Sequence, residues 1–163
     1  MLTVRDVLKT KKQDIWSISP RSTAYSALEI MADRNIGALM VIDDDQIVGI
    51  FSERDYARKV ILKGKSSKET IVGELMTTPV FSIEPEKSVE KCMALMTVTH
   101  NRHLPVMKEG KLIGVVSIGD VVNAIIIIQK VEIEDLKSYV ASGDTTVNGQ
   151  LHKDNYEFQI MNK

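Results

Sequence analysis

Two stretches of the sequence, GIFSERD at 49–55 and GVVSIGD at 114–120, each place a serine three residues after a glycine and three before an aspartate. An ionised aspartate at 55 or 120 has two acceptor oxygens, so one carboxylate can take charge-strengthened hydrogen bonds from two adjacent hydroxyls, as a sugar diol presents them. Ser52 and Ser117 stand one helical turn earlier, where a hydroxyl and the unpaired N–H groups of a helix start can meet anionic oxygens. The same spacing also has a purely structural use. Ser as N-cap with Asp at the positive end of the helix dipole forms a capping box worth about 1 kcal/mol without any ligand. Both roles fit on one helix end.

The elements that must hold these residues are themselves duplicated. A shift of 65 positions aligns 16–55 with 81–120 without a gap, with identity at Ser17/Ser82, Ile18/Ile83, Pro20/Pro85, Met31/Met96, Leu39/Leu104, Val41/Val106, Gly49/Gly114, Ser52/Ser117 and Asp55/Asp120. Ala24, Ala27, Leu28 and Met31 fall at helical spacing, and Val89, Cys92, Met93 and Met96 repeat the stripe, which predicts one amphipathic helix per copy. Ser22/Thr23 and Ser88 are placed to cap them. Next come two apolar runs around a short polar turn, ALMVI and QIVGIF in copy one, HLPVM and KLIGVV in copy two, the pattern of a hairpin. A second helix follows each hairpin: RDYARKVILKG is expected to run to Gly64, and its counterpart from near Asp120 to about Tyr139. Upstream, IWSISP and VFSIEP each supply a short strand ended by proline.

The expected fold class is therefore α+β: two pseudo-symmetric β-α-β-β-α repeats packed sheet to sheet, because a unit of this size buries only about 60% of its unfolded surface and is marginal alone. Repeat one is expected over 1–64, a polar linker over 65–70, repeat two with an extended C-terminal helix over 71–140, and a flexible tail over 141–163, in which Tyr156, Phe158 and Ile160 alternate as an added strand would.

Composition narrows the function. The chain has 163 residues, 44% apolar and 26% charged, with a net charge of −1, which fits a globular protein and gives no basic field for nucleic acid. Lys9, Lys11 and Lys12 read as solvated charges. A lone Cys92 in an apolar stripe fits a reducing, cytoplasmic setting. No export signal is visible in MLTVRDVLKT, and VVNAIIII at 121–128 is far short of the roughly 20 residues a membrane span needs, so no membrane partner is expected.

With the doubled motif in place, NIGALMVIDDDQIVGIFSERD and NRHLPVMKEGKLIGVVSIGD resemble a tandem pair of CBS domains, a Bateman module. SERDYARKV, RHLPV and SIGDVV are similar in particular to the stand-alone bacterial CBS-pair proteins without an attached catalytic domain. The resemblance covers residues 3 to about 130. It implies a sensor that binds an adenine nucleotide in the cleft between the repeats, AMP foremost, with ADP, ATP, NAD or S-adenosylmethionine as alternatives, in a homodimer that signals to an unidentified regulated protein. It also implies that Asp55 and Asp120 each hold a ribose beside Ser52 and Ser117. The base would meet backbone groups at Ile36, Gly37, Ala38 and Leu39 in copy one and at Arg102, His103 and Leu104 in copy two, beside Ser17, Ile18, Ser82 and Ile83. Gly37 reads equally as the stop of the preceding helix after Asn35. Arg102 replaces Gly37 as a phosphate candidate with a fork of donors, His103 adds charge below about pH 6.5, and Arg54 is a further candidate; each reads otherwise as a solvated charge. The differences between SERD and SIGD imply two unequal sites.

Other signals fall away. KGKSS ends like a phosphate-binding loop, but Lys59 stands where its first glycine must be. Cys92, His100 and His103 lack further ligands at metal-site spacing, so no metal is expected. No nucleophile–base pair stands out and no catalytic residue is assigned; an enzyme is not expected. A dimeric interaction protein without bound nucleotide is the alternative.

Overall fold

The computed structural model describes residues 1–11 and 15–142; the expected tail strand around Tyr156, Phe158 and Ile160 lies outside the described residues. The chain runs α1 (Val4–Lys9), β1 (Ser17–Ile18), α2 (Ala24–Arg34), β2 (Ala38–Asp43), β3 (Gln46–Ser52), α3 (Glu53–Lys59), α4 (Val89–Thr99), β4 (His103–Lys108), β5 (Lys111–Ser117) and α5 (Ile118–Ser142), with single 3-10 turns at Ile61–Lys63 and Val72–Glu74. This is an α+β fold, and the internal duplication is visible in its details.

Thr23 and Ser88 cap α2 and α4, their hydroxyls accepting the backbone N–H groups of Ser26 and Lys91. Ala24, Ala27 and Met31 are buried on one helix, Val89, Cys92 and Met96 on the other. Of the remaining stripe residues, Leu28 is half-buried and Met93 is exposed. Both helices end on a left-handed residue, Asn35 at φ 52° and His100 at φ 55°. The stop of α2 is thus Asn35 itself, not Gly37.

The hairpins also match. β2 pairs antiparallel with β3 and β4 with β5, and the register shifts once in each, between Val41 and Ile42 and between Val106 and Met107. The turns need positive φ at two successive positions, met by Asp44 and Asp45 in the first hairpin and by Glu109 and Gly110 in the second.

Two expectations change. β1 pairs parallel with β2 through Ser17 and Ile18, but its counterpart shrinks to one bridge between Ile83 and Val106. The cause lies in the partner strand. In copy one the Met40 N–H donates to the Trp16 carbonyl at 3.3 Å, whereas the equivalent position in copy two is Pro105, which has no N–H to give. The helix expected to reach Gly64 is instead broken at Val60, so that α3 ends at Lys59 and Gly64, at φ 63°, closes the 3-10 turn that follows.

The compact units are not the two sequence repeats. One combines 1–13 with the chain from 83 onward; the other is 14–82. Each unit therefore takes in the segment that precedes the other repeat's helix–hairpin core. In the first unit Leu2, Val4, Val7 and Leu8 join the core of Ile83, Val89, Cys92, Met96, Leu104, Val106, Val116 and Val121. In the second, Val72 and Leu75 join Ile18, Ala24, Ala27, Met31, Leu39, Val41 and Phe51. The repeated glycines make room for this. A Cβ on Gly114 would lie 2.8 Å from Leu8 Cδ2, and a Cβ on Gly49 would lie 2.9 Å from Met76 Cβ. The glycine of the opening motif is thus required by packing: the incoming segment seats where a side chain would stand.

Candidate functional site

In the 14–82 unit, β3 delivers Ser52 to the start of α3, and the local box closes. The Asp55 N–H donates to Ser52 Oγ at 3.2 Å, while Ser52 N and Oγ donate to Asp55 Oδ2 at 3.0 and 2.6 Å. In the other unit the box recurs on Asp120, with Ser117 N and Oγ each 2.7 Å from Oδ2 and the Asp120 N–H donating back at 3.3 Å. The capping role is therefore fulfilled in both copies. It is fulfilled a third time at Thr3 and Asp6 on α1, outside the 65-residue register, so the box alone is a helix device. What sets Asp55 and Asp120 apart is where they stand.

Each lies at the end of a hairpin, beside the residues singled out from the sequence. Ala38 pairs across the sheet with Ser52, and His103 with Ser117. The first N–H of each following helix is taken by a carbonyl of the same corner, Glu53 N to Gly37 O at 3.1 Å and Ile118 N to Arg102 O at 2.8 Å. Gly37, Ala38, Ser52, Arg54 and Asp55 thus gather at one corner; Arg102, His103, Ser117 and Asp120 gather at the other. Ile36 closes α2 through its N–H to the Met31 carbonyl. Ser17 and Ser82 are exposed. Leu39 and Leu104 are fully buried in their cores and Ile18 and Ile83 nearly so, which leaves chiefly their backbone to offer.

The second carboxylate oxygens break the symmetry. Asp55 Oδ1 accepts from Thr77 Oγ1 at 2.9 Å and from Lys59 Nζ at 2.8 Å, and Lys59 also donates to the Leu75 carbonyl at 2.6 Å. Both Asp55 oxygens are occupied. Asp120 meets Lys11 instead: Nζ lies 2.7 Å from Oδ2, the oxygen already used by Ser117, and 3.2 Å from the Val115 carbonyl. Among the described residues nothing donates to Asp120 Oδ1. The Asp120 side chain is also the more open, 22% exposed against 14% for Asp55. Lys59 has Ala124 as its counterpart 65 residues on, so no cation can reach Asp120 from its own helix. Next to Asp120, Ala124 opens a shallow pocket between α1 and α5, shared with Val7, Thr10, Asn123 and Ile127.

Burial pushes both carboxyl groups up, but the donors outweigh it and hold each below the ordinary aspartate value. For Asp55 these are hydrogen bonds from Lys59, Ser52 and Thr77 with the charge of Lys59; for Asp120 they are Lys11 and both Ser117 donors, with the charge of Lys11. The His103 imidazole is held below its usual value, first by burial and then by the charges of Arg102 and Lys11, against an opposite pull from Asp120. The charge expected on His103 below about pH 6.5 therefore appears only at lower pH.

Lys11, Lys59 and Thr77 are the residues that the sequence reading missed. Lys11 is not a solvated charge but the counter-ion of Asp120. A second internal match signals these segments: with a shift of 68, Val4, Asp6, Val7 and Leu8 align with Val72, Glu74, Leu75 and Met76. Among the described residues there is no group of three or more metal-ligating side chains and no helix long and apolar enough to cross a membrane.

Comparison with known proteins agrees with this architecture. The family model of the CBS domain matches twice, at 4–61 and 72–127. The mitochondrial CBS domain-containing protein CBSX3 of Arabidopsis thaliana is 39% identical over 151 residues, covering 86% of this chain and 73% of the relative. A CBS-domain protein of known structure from Burkholderia ambifaria is 44% identical, with a TM-score of 0.72 over 90% of this chain and 99% of its own. The structure of CBSX2 in complex with AMP is 30% identical, with a TM-score of 0.65 over 79% of this chain and 99% of its own. Two matched domains, a doubled helix–hairpin core and a doubled Ser-x-x-Asp corner together place the chain in the CBS-domain family, as a tandem CBS pair.

Proposed function

We propose that the chain is a cytoplasmic regulatory sensor that binds an adenine nucleotide at its Ser-x-x-Asp corners and passes the occupancy to a partner protein. AMP is the foremost ligand; ADP, ATP and NAD share the adenosine that the corners would hold. The observation that supports this most directly is the Asp120 corner: an ionised carboxylate with one oxygen fixed by Ser117 and Lys11 and the other left as an acceptor for a ribose diol. Lys11 and Arg102 supply cationic charge for phosphate, and the backbone at Arg102, His103 and Leu104 serves the base edge. The AMP complex of CBSX2 lends the ligand class its support. At the Asp55 corner, Gly37, Ala38 and Arg54 play the corresponding parts, but a ligand there must displace Thr77 or Lys59.

Thermal unfolding with AMP, ADP, ATP and NAD, on protein first shown by mass spectrometry to carry no co-purified nucleotide, tests the proposal. A ligand at about 100 times its dissociation constant stabilises the fold by roughly 2.7 kcal/mol. No shift with any of the four overturns the nucleotide reading and leaves the corners as helix caps.

A further inference from the structure

The Asp55 carboxylate is saturated. An ionised carboxylate offers about four acceptor positions, and Ser52 N and Oγ fill those of Oδ2 while Thr77 Oγ1 and Lys59 Nζ fill those of Oδ1. A ribose diol reaches it only when a donor leaves. Thr77 is badly placed to do so: its side chain is short, its N–H donates to the Ile50 carbonyl at 2.7 Å and its carbonyl accepts from the Ile50 N–H at 3.2 Å. Lys59 is long and its side chain is 40% exposed, so it can swing off Oδ1 while its backbone stays in the helix. Nζ also donates to the Leu75 carbonyl at 2.6 Å and to Thr77 Oγ1 at 3.3 Å. The ammonium can therefore release the carboxylate and remain anchored at the corner. What it loses in that exchange is its counter-ion, and an uncharged nucleoside brings nothing to replace it.

We infer that Lys59 is a specificity-determining residue: it makes the Asp55 corner select phosphate-bearing adenosine ligands over adenosine itself. With AMP, the ribose takes over Oδ1 and the phosphate takes over the ammonium, so the charge pair that is broken is replaced by a new one. With adenosine, the same exchange leaves Lys59 without a counter-ion. Because the side chain is partly exposed, water softens that loss, and the discrimination is graded rather than absolute. The Asp120 corner lacks this device. Ala124 stands in the place of Lys59, Lys11 shares Oδ2 with Ser117, and no donor among the described residues holds Oδ1, so a ribose binds there with no exchange of partners. One corner thus accepts the nucleoside, and the other asks for the nucleotide. The inference rests on the nucleotide reading above and adds to it the residue that discriminates.

The test is calorimetric titration of the full chain, freed of co-purified nucleotide, with AMP and with adenosine. Asp120→Asn isolates the Asp55 corner, and its thermal transition shows that it is folded. In this variant AMP should bind, and adenosine should bind at least about tenfold more weakly, the scale of one hydrogen bond to a charged group. Adding Lys59→Met should tighten adenosine by about tenfold and AMP by far less, so that the preference for AMP collapses. A lysine that merely braced the fold would move both ligands by the same factor. Equal binding of the two ligands to folded Asp120→Asn, a common shift of both on adding Lys59→Met, or no AMP binding to this variant while the unaltered chain binds AMP overturns the selectivity and leaves the nucleotide reading standing. Absence of AMP binding from the unaltered chain overturns both.

Discussion

Lys11 Nζ stands 2.7 Å from Asp120 Oδ2, joining residues 109 positions apart in the sequence. The contact ties the segment after α1 to the first turn of α5. Lys11→Met should therefore lower stability at pH 7 by about 0.5 to 1 kcal/mol, a modest figure because both side chains are partly exposed and solvent screens the pair. The Asp120 carboxyl should titrate at higher pH in the variant, read from its 13C shift by NMR. An unchanged titration would show that Ser117 alone sets the value.

Asp55 and Asp120 are both held below the ordinary aspartate value in the fold. As pH falls, the unfolded chain takes up these protons first, so the stability they contribute is present above about pH 4 and is lost as pH drops through the lower folded values. Urea midpoints at pH 7, 5 and 3.5 should fall most steeply over the last step. Asp55→Asn with Asp120→Asn should flatten that fall.

The glycines of the repeated motif are expected to resist substitution unequally. Gly114→Ala presses on the end of Leu8, which can turn away, whereas Gly49→Ala presses on Met76 as far back as its Cβ. Overpacking of this kind typically costs about 1 to 3 kcal/mol, and Gly49→Ala should lie at the upper end. Adding Met76→Ala should recover part of the loss in denaturant titrations.

The two corners should also bind unequally. Asp120 keeps an acceptor oxygen that needs no rearrangement, while Asp55 must give up a donor already in place. In calorimetric titration with AMP, Asp120→Asn should remove the tighter event and Asp55→Asn the weaker one. The reverse order would mean that the cation beside Asp55 assists binding more than it obstructs it.

What could be read from the sequence was local. Ser52 with Asp55 and Ser117 with Asp120 are a turn apart, so their boxes follow from spacing; the caps Thr23 and Ser88 and the two hairpins are short-range as well. The partners of the aspartates were not legible. Thr77 comes from 22 residues away and Lys11 from 109, and no pattern within either corner calls for them. The loss of the strand at Ile83 turned on one missing N–H at Pro105, a donor that an apolar pattern does not count. The role of Gly49 and Gly114 was hidden for the same reason, since the atoms they admit belong to Met76 and Leu8 in segments outside the aligned repeats.

The exchange of leading segments between the two units also orders events as the chain is made. α1 leaves the ribosome well before β5, since the strand that receives Leu8 through Gly114 follows more than a hundred residues later. A helix of six residues has little helicity in water by itself. The 14–82 unit can close as soon as it has emerged, while α1 waits for β5. α1, the first of these elements to be made, is thus among the last of them to find a place.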